Sequence, residues 1–318
     1  MKRIAVLTSG GDAPGMNAAV RAVVRTGLYY GYEVLGVKRG YHGLIHNEME
    51  EMVSTSVSDI LYRGGTILQT ARCPEFEELE YQEKAVENLK KNGIDALLVI
   101  GGDGSFNGAK ALCNLGIQVI GLPGTIDNDL DYTDYTIGFD TAVSTVMESV
   151  SKIRDTSSSH NRTFVVEVMG RNCGDIALYA GIVAGAEQVI VPEIPVTMDH
   201  ILEDIETGKE RGKNHHIILF SEGSGDPYEF TKKIQEVDPS ARLLIIGHLQ
   251  RGGAPTAHDR LIATRMGGRA VELIQEGVSG VAVGIKGNEI VHVPFQEALD
   301  AREPINKRLF DLAEILAR

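Results

Sequence analysis

Two carboxylates stand two residues apart in Pro123-Gly124-Thr125-Ile126-Asp127-Asn128-Asp129, directly after the apolar run 119–122. In extended backbone that spacing aims both side chains the same way. Closely held like charges raise one pKa, which suits a general base that takes a hydroxyl proton. The same residues would also serve as Asx turns or as caps on a following helix. Another carboxylate, Asp103, lies inside Gly101-Gly102-Asp103-Gly104-Ser105. A glycine-rich turn between strand and helix lets backbone N–H groups approach phosphate oxygens. Gly10-Gly11 fits that use as well, although an ordinary βα turn needs no ligand. A carboxylate beside a phosphate cradle repels it unless a divalent cation lies between, so Asp103 points to Mg²⁺ bridging phosphate oxygens.

Arginines recur near the ends of apolar runs: Arg72, Arg162, Arg171, and Arg251 within Gly247-His248-Leu249-Gln250-Arg251-Gly252-Gly253. Guanidinium forks match phosphate oxygens and offset charge that develops in phosphoryl transfer. Singly, each also reads as a surface ion pair, and His248 has no partner in the sequence that decides its role. Neither glycine turn matches G-x-x-x-x-G-K-[ST] or G-x-G-x-x-G, which disfavours the P-loop and dinucleotide folds. A second basic set comprises Arg21 and Arg25, spaced i,i+4, with Arg154, Arg211 and Lys213 near other helix ends. The plain reading of that set is solvated helix faces.

The elements that must position these residues repeat one pattern: a short apolar run, a Gly-rich or polar turn, then helical spacing. Run 4–7 leads into a helix over 17–28, and run 96–100 into one over 107–115. Runs 119–122, 164–169, 217–220 and 243–246 follow, with a helical stretch ending at 184. Uninterrupted β-branched runs predict strands buried on both faces, hence parallel α/β sheets with right-handed crossovers. Ligands in such sheets bind outside the C-terminal strand ends, where these turns would lie. The two glycine turns look alike, but their flanks do not repeat, so the likeness is one of turn chemistry. The acidic stretch 75–83 reads as a solvated loop and helix start.

A chain of 318 residues allows one large or two modest domains. No Pro- or Ser-rich linker marks a boundary. A net charge of −13 argues against nucleic acid or an anionic membrane surface as partner. The cysteines Cys73, Cys113 and Cys173 form no CxxC pair, so neither a disulfide framework nor a Cys zinc site is expected, and a reducing, cytoplasmic compartment is. No stretch approaches the ~18 apolar residues of a membrane span, and none reads as a signal peptide.

In this order, and over nearly the whole chain, GGDAPGMNA, GGDGS, PGTIDND, MGR and GHLQRGG resemble the bacterial ATP-dependent 6-phosphofructokinases. The resemblance implies an α/β fold of two domains with mainly parallel sheets flanked by helices, assembled as a homotetramer. Residues 1–138 plus 251–300 would bind ATP, and 139–250 plus 301–318 the sugar phosphate. ATP would meet Gly11, Tyr41, Arg72, Cys73, Gly102, Asp103, Gly104, Ser105 and Gly108, with Asp103 on Mg²⁺. Asp127 would be the base toward the sugar 1-hydroxyl of fructose 6-phosphate, with Asp129 beside it. Thr125 and Arg171, with Arg72 and Gly11, would stabilise the transferring phosphoryl. Sugar and 6-phosphate would meet Ile126, Arg162, Met169, Gly170, Glu222, Arg242, His248, Leu249, Gln250 and Arg251. Of these, Arg162 and Arg242 would come across a subunit contact.

The resemblance also implies a second site for ADP as activator and phosphoenolpyruvate as inhibitor, at Arg21, Arg25, Asp59, Arg154, Gly185, Glu187, Arg211, Lys213 and His215. Here the chain departs from the pattern: Ser54 replaces an arginine and Asn214 a lysine, so a weakened response is expected. The chain is also one residue shorter between Glu222 and Arg242. Gly104 and Gly124 stand where pyrophosphate-dependent relatives resemble GGDD and PKTIDND, which favours ATP as donor. A catalytically silent sugar-phosphate or nucleotide sensor is the rival reading, and Asp103, Asp127 and Arg171 speak against it.

Overall fold

The computed structural model describes residues 2–213, 215–301 and 304–317. The chain runs β1 (Arg3–Thr8), α1 (Met16–Tyr29), β2 (Glu33–Val37), α2 (Gly40–His46), β3 (Met49–Glu51), α3 (Leu79–Lys91), β4 (Ala96–Gly101) and α4 (Asp103–Asn114). It continues with β5 (Gln118–Thr125), β6 (Ile137–Gly138), α5 (Phe139–His160), β7 (Thr163–Val168), α6 (Asp175–Ala184), β8 (Gln188–Ile190) and α7 (Met198–Glu210). After these come β9 (His216–Ser221), α8 (Pro227–Ile234), β10 (Arg242–Ile245), α9 (Ala257–Gln275), β11 (Val281–Lys286), β12 (Glu289–Pro294), α10 (Phe295–Asp300) and α11 (Lys307–Ala317). Two compact units share the chain. Of the described residues, the first takes 2–126, 130–141 and 251–301, and the second takes 127–129, 142–250 and 304–317.

The first unit is built on a sheet of order β12-β11-β5-β4-β1-β2-β3, with β6 beside β5. Its interior pairs are parallel, while β2–β3 and β11–β12 are antiparallel. Strand β4, with sequence ALLVIG, is buried throughout, as an apolar run covered on both faces must be. Leu97 and Val99 pack with Phe106 and Leu112 of α4 and with Phe295 of α10. From β1 the chain moves to β2 on one side, and β4 then joins on the other. The topological switch point therefore falls between β1 and β4, whose following turns are the glycine-rich ones. Helix α4 begins at Asp103 rather than near 107, because Gly104 and Ser105, poor helix formers by propensity, form its first turn. Strands β2, β11 and β12 were not legible, since Gly36 and Gly284 interrupt EVLGV and VAVGIK and β12 alternates at an edge.

The second unit holds a wholly parallel sheet, β10-β7-β9-β8. Val165, Ile218 and Phe220 meet Ile201 and Ile205 of α7 and Ile234 of α8 in its core. The acidic stretch is a 3-10 turn, Pro74–Glu77, followed by α3, as its composition suggested.

A carboxylate that sequence reading passed over staples the first unit. Asp259, fully buried in α9, accepts hydrogen bonds from the backbone N–H of Gly138 (2.9 Å) and Thr141 (2.8 Å) and from the Thr141 hydroxyl. Gly138 pairs with Thr125, so the staple fixes the end of β5. Burial pushes the Asp259 carboxyl up to about 6, against the pull of those donors, with nearby Asp140 adding to the rise. A carboxyl raised in the folded chain and ordinary in the unfolded one favours folding more as pH falls through 6 toward the usual range. Wild type should therefore gain on the order of 1–3 kcal/mol relative to Asp259→Asn between pH 7 and pH 5. Urea midpoints at the two pH values measure this; equal pH slopes for the two proteins would contradict it.

Candidate active site

In the first unit the two glycine turns touch. The backbone N–H of Ser9 donates to the Ile100 carbonyl at 2.9 Å, and a Cβ on Gly101 would lie 2.6 Å from the Ser9 carbonyl oxygen. Gly102 is the N-cap of α4 without a side-chain cap, so the first N–H groups of that helix point outward toward any anion placed there. Beside them, a Cβ on Gly104 would meet nothing within 4 Å, which leaves open space at the helix start. Asp103 is exposed in that first turn, where a carboxylate can hold a divalent cation against phosphate. The donor set therefore fits Mg²⁺ with a polyphosphate.

Across the first turn lies a guanidinium. A Cβ on Gly11 would fall 2.0 Å from Nη1 of Arg251, so only glycine lets Arg251 lie against this backbone. The buried Nε of Arg251 has no hydrogen-bond partner among the described residues, an open donor beside the cradle. Thr125 ends β5 next to Gly102, and its carbonyl accepts from the Thr136 hydroxyl at 2.7 Å. Tyr41 is buried, stacks on Phe76, and gives its hydroxyl to the Ser105 carbonyl; Gly108 makes room for its ring. Its role is thus to support the turn from below. Arg72 is exposed and Cys73 half-buried, just ahead of the 3-10 turn at Pro74.

In the second unit the paired carboxylates meet a cation. Asp127 is 2% exposed, and its Oδ2 lies 3.4 Å from Nε of Arg171. Oδ2 of Asp129 lies 3.8 Å from Nη1 of the same guanidinium. The extended backbone expected here is not what brings them together. Asn128 is left-handed (φ 55°), and its side chain donates to Asp175 at the start of α6 at 2.8 Å. No helix follows Asp129 until Phe139, so the capping reading does not hold. Arg171 is also left-handed (φ 53°), a conformation that costs a non-glycine residue about 1–3 kcal/mol. Glu222, after β9, holds it there by accepting from the backbone N–H of Arg171 (2.7 Å) and Gly170 (3.1 Å). Met169 donates its N–H to the fully buried Gln250, whose amide also bonds the Gly247 carbonyl, so Gln250 is spent on positioning. His248 and Leu249 beside it are exposed.

Arg162 and Arg242 are not gathered with these groups. They precede or begin β7 and β10, at the N-terminal end of the sheet, whereas Met169, Gly170, Arg171 and Glu222 follow the C-terminal ends of β7 and β9. Seven residues of strand separate Arg162 from Met169, roughly 23 Å. In one chain they cannot reach the same small ligand.

Of the second basic set, Arg154 donates to the carbonyls of Ala184 (2.8 Å) and Gly185 (2.6 Å) and lies 3.5 Å from Glu187. Lys213 also stands 3.5 Å from Glu187, and Arg211 ends α7. Arg21 and Arg25 share a face of α1, Asp59 is exposed and left-handed, and His215 precedes β9. Ser54 is exposed in a 3-10 turn, and Asn214 lies outside the described residues.

Residues 3–274 match the family described as Phosphofructokinase. An ATP-dependent 6-phosphofructokinase 1 from Clostridium perfringens is 56% identical over 99% of this chain and 99% of its own length. A phosphofructokinase structure from Saccharomyces cerevisiae is 37% identical with a TM-score of 0.90 over the full chain, which spans about half (48%) of that longer protein. A pyrophosphate-dependent phosphofructokinase from Marinobacter aquaeolei, at 21% identity and a TM-score of 0.85 over 97% of this chain and 86% of its own, shares the fold.

Gly11→Val should drive the Arg251 guanidinium off the turn and raise the Kd for ATP at least ~10-fold, the scale of one charge-assisted hydrogen bond. Titration calorimetry measures this, and an unchanged Kd would remove Arg251 from the cradle.

Proposed function

The chain belongs to the phosphofructokinase family, and on that premise we infer that it transfers the γ-phosphoryl group of ATP to the 1-hydroxyl of fructose 6-phosphate. The products are ADP and fructose 1,6-bisphosphate. The observation that carries the reading is the buried Asp127 carboxylate within 3.4 Å of Arg171. Asp127 takes the hydroxyl proton as the oxygen attacks, and a base so placed contributes about 10²- to 10⁴-fold. Arg171 offsets the carboxylate charge and, through its largely exposed guanidinium, the charge spread over the transferring phosphoryl oxygens. The backbone N–H groups at the start of α4, with Gly11, receive the nucleotide phosphates; Arg251, which the resemblance gave to the sugar phosphate, is reassigned to them here because its guanidinium lies against Gly11, and Thr125 lies two residues before the base in the chain. Asp103 would hold Mg²⁺, which would supply charge neutralisation at the nucleotide phosphates.

ATP is the donor in this reading. A lysine at 124 would have to displace the side chains of Ile100 and Met16, which a Cβ there would approach at 2.9 Å and 3.0 Å. The first unit is then the ATP-binding domain and the second the sugar-phosphate domain. Arg162 and Arg242, too far from Arg171 within one chain, serve the 6-phosphate of a neighbouring copy, which calls for at least a dimer and agrees with the homotetramer that the resemblance implies. ADP and phosphoenolpyruvate are its effectors at the second basic set. Among the described residues no helix is long and apolar enough to cross a membrane, and the compartment proposed is the cytoplasm.

A coupled assay should detect ADP release with MgATP and fructose 6-phosphate and none with Mg-pyrophosphate as donor. Sugar-phosphate binding without turnover would favour a silent sensor. Asp127→Ser should lower kcat by ~10²- to 10⁴-fold with a far smaller change in sugar-phosphate binding; near-normal turnover would take Asp127 out of the mechanism.

The effector response should be weak. Each charge-assisted hydrogen bond to a phosphate is worth ~1.5–3 kcal/mol, and Ser54 and Asn214 remove cations that the family pattern supplies. Fructose 6-phosphate saturation curves should shift little with phosphoenolpyruvate at ordinary concentrations. Strong inhibition relieved by ADP would show that the remaining cations suffice.

A further inference from the structure

Three consecutive residues of the second unit are gripped by one turn, the turn that joins β7 to α6. Asp127 and Asp129 lie 3.4 Å and 3.8 Å from the Arg171 guanidinium, and Asn128 between them donates its amide to Oδ2 of Asp175 at 2.8 Å. Arg171 stands early in that turn, and Asp175 begins the helix that follows it. The turn is itself closed. The N–H of Cys173 donates to the Gly170 carbonyl at 2.9 Å, and the N–H of Gly174 donates to Oε1 of Glu193 at 2.7 Å. A Cβ on Gly174 would lie 2.5 Å from Val191, so the start of α6 packs closely on that segment. Asp175 is thus an anchor held from both sides.

Asn128 is the residue through which that anchor acts. It is buried and left-handed (φ 55°), a small allowed region that Asn enters more readily than most residues but does not prefer. Rotation about its φ and ψ would swing Asp129 relative to Asp127, so whatever holds Asn128 also sets how the two carboxylates share one guanidinium. An amide that donates to a carboxylate makes a charge-assisted hydrogen bond, stronger than a neutral pair. A carboxylate in the first turn of α6 also favours that helix by its charge. That benefit does not involve Asn128, which is what separates the two roles.

We propose that Asp175 is a positioning residue for the phosphoryl transfer: it holds Asn128 and, through it, sets Asp127 against Arg171 in the geometry the base requires. Asp175 acts through Asn128 and not on the reacting atoms, and the inference rests on the kinase reading above.

The test is kcat at saturating MgATP and fructose 6-phosphate, with thermal unfolding to check that each variant folds. Asp175→Leu is similar in size but has no acceptor. It should lower kcat at least ~10-fold, the scale of one hydrogen bond to a charged group, and leave the Kd for fructose 6-phosphate within ~3-fold. Asp175→Asn gives up the charge but keeps an oxygen for Asn128, and its kcat should stay within ~3-fold of wild type. Asn128→Ala should also be slow, and adding Asp175→Leu to it should change kcat by less than ~3-fold, because a shared link is lost once. A residue that only supported the start of α6 would slow both backgrounds by the same factor. That result, an Asp175→Asn as slow as Asp175→Leu, or an Asp175→Leu with wild-type kcat would each overturn the proposal. If Asp175→Leu does not fold, Asp175→Ala takes its place in the cycle, and wild-type kcat in Asn128→Ala ends the proposal without either. Absence of turnover in wild type would remove the kinase reading and this proposal together, whereas an active wild type with indifferent variants would remove this one alone.

Discussion

A carboxylate nearly sealed from water must have its charge met by the protein, and this requirement at Asp127 organises the second unit. Stripping an ion of water costs several kcal/mol unless a counter-ion and hydrogen bonds repay it. Arg171 is that counter-ion. To reach Asp127 its backbone adopts a left-handed conformation, which Glu222 holds by accepting from the N–H groups of Gly170 and of Arg171 itself. Glu222 and Arg171 meet because β7 and β9 are neighbours in a parallel sheet, so their C-terminal turns emerge side by side. The strand order thus places the cation, and the cation lets the base stay buried and charged.

The first unit meets a different demand, that of polyphosphate, with backbone more than side chains. Two glycine turns abut at the switch point between β1 and β4, and a helix N-terminus opens beside them. Gly11 admits a guanidinium that any side chain would displace. Asp259 holds the far end of β5 through Gly138, so Thr125 is fixed from a helix distant in sequence.

Much of this was legible before any coordinates. Apolar runs ending in Gly-rich turns gave β1, β4, β7, β9 and β10 within a residue and the start of β5, whose end lies three residues further on at Thr125, because unbroken apolar runs leave an unmixed signal. Edge strands such as β12 and strands broken by glycine left none. Asp103 stood out because a carboxylate in a phosphate turn calls for a cation. Asp127 and Asp129 stood out by spacing, although a left-handed Asn128, which spacing does not reveal, sets their real geometry. Asp259 was illegible, since its partners lie more than a hundred residues away and a lone Asp in a helix reads as surface. The supporting hydrogen bonds of Tyr41 and Gln250 were hidden for the same reason: burial, not residue type, brings them to the Ser105 carbonyl and the Met169 N–H.

The central claim is that Asp127 and Arg171 act as one unit, so the most direct measurement is a double-mutant cycle on kcat. It compares wild type, Asp127→Asn, Arg171→Gln and the double variant, each at saturating MgATP and fructose 6-phosphate. Residues that act together lose their contribution once, so the double variant should be little slower than the slower single variant. A double variant whose loss equals the product of the two single losses would show that the residues act independently, and would contradict the account.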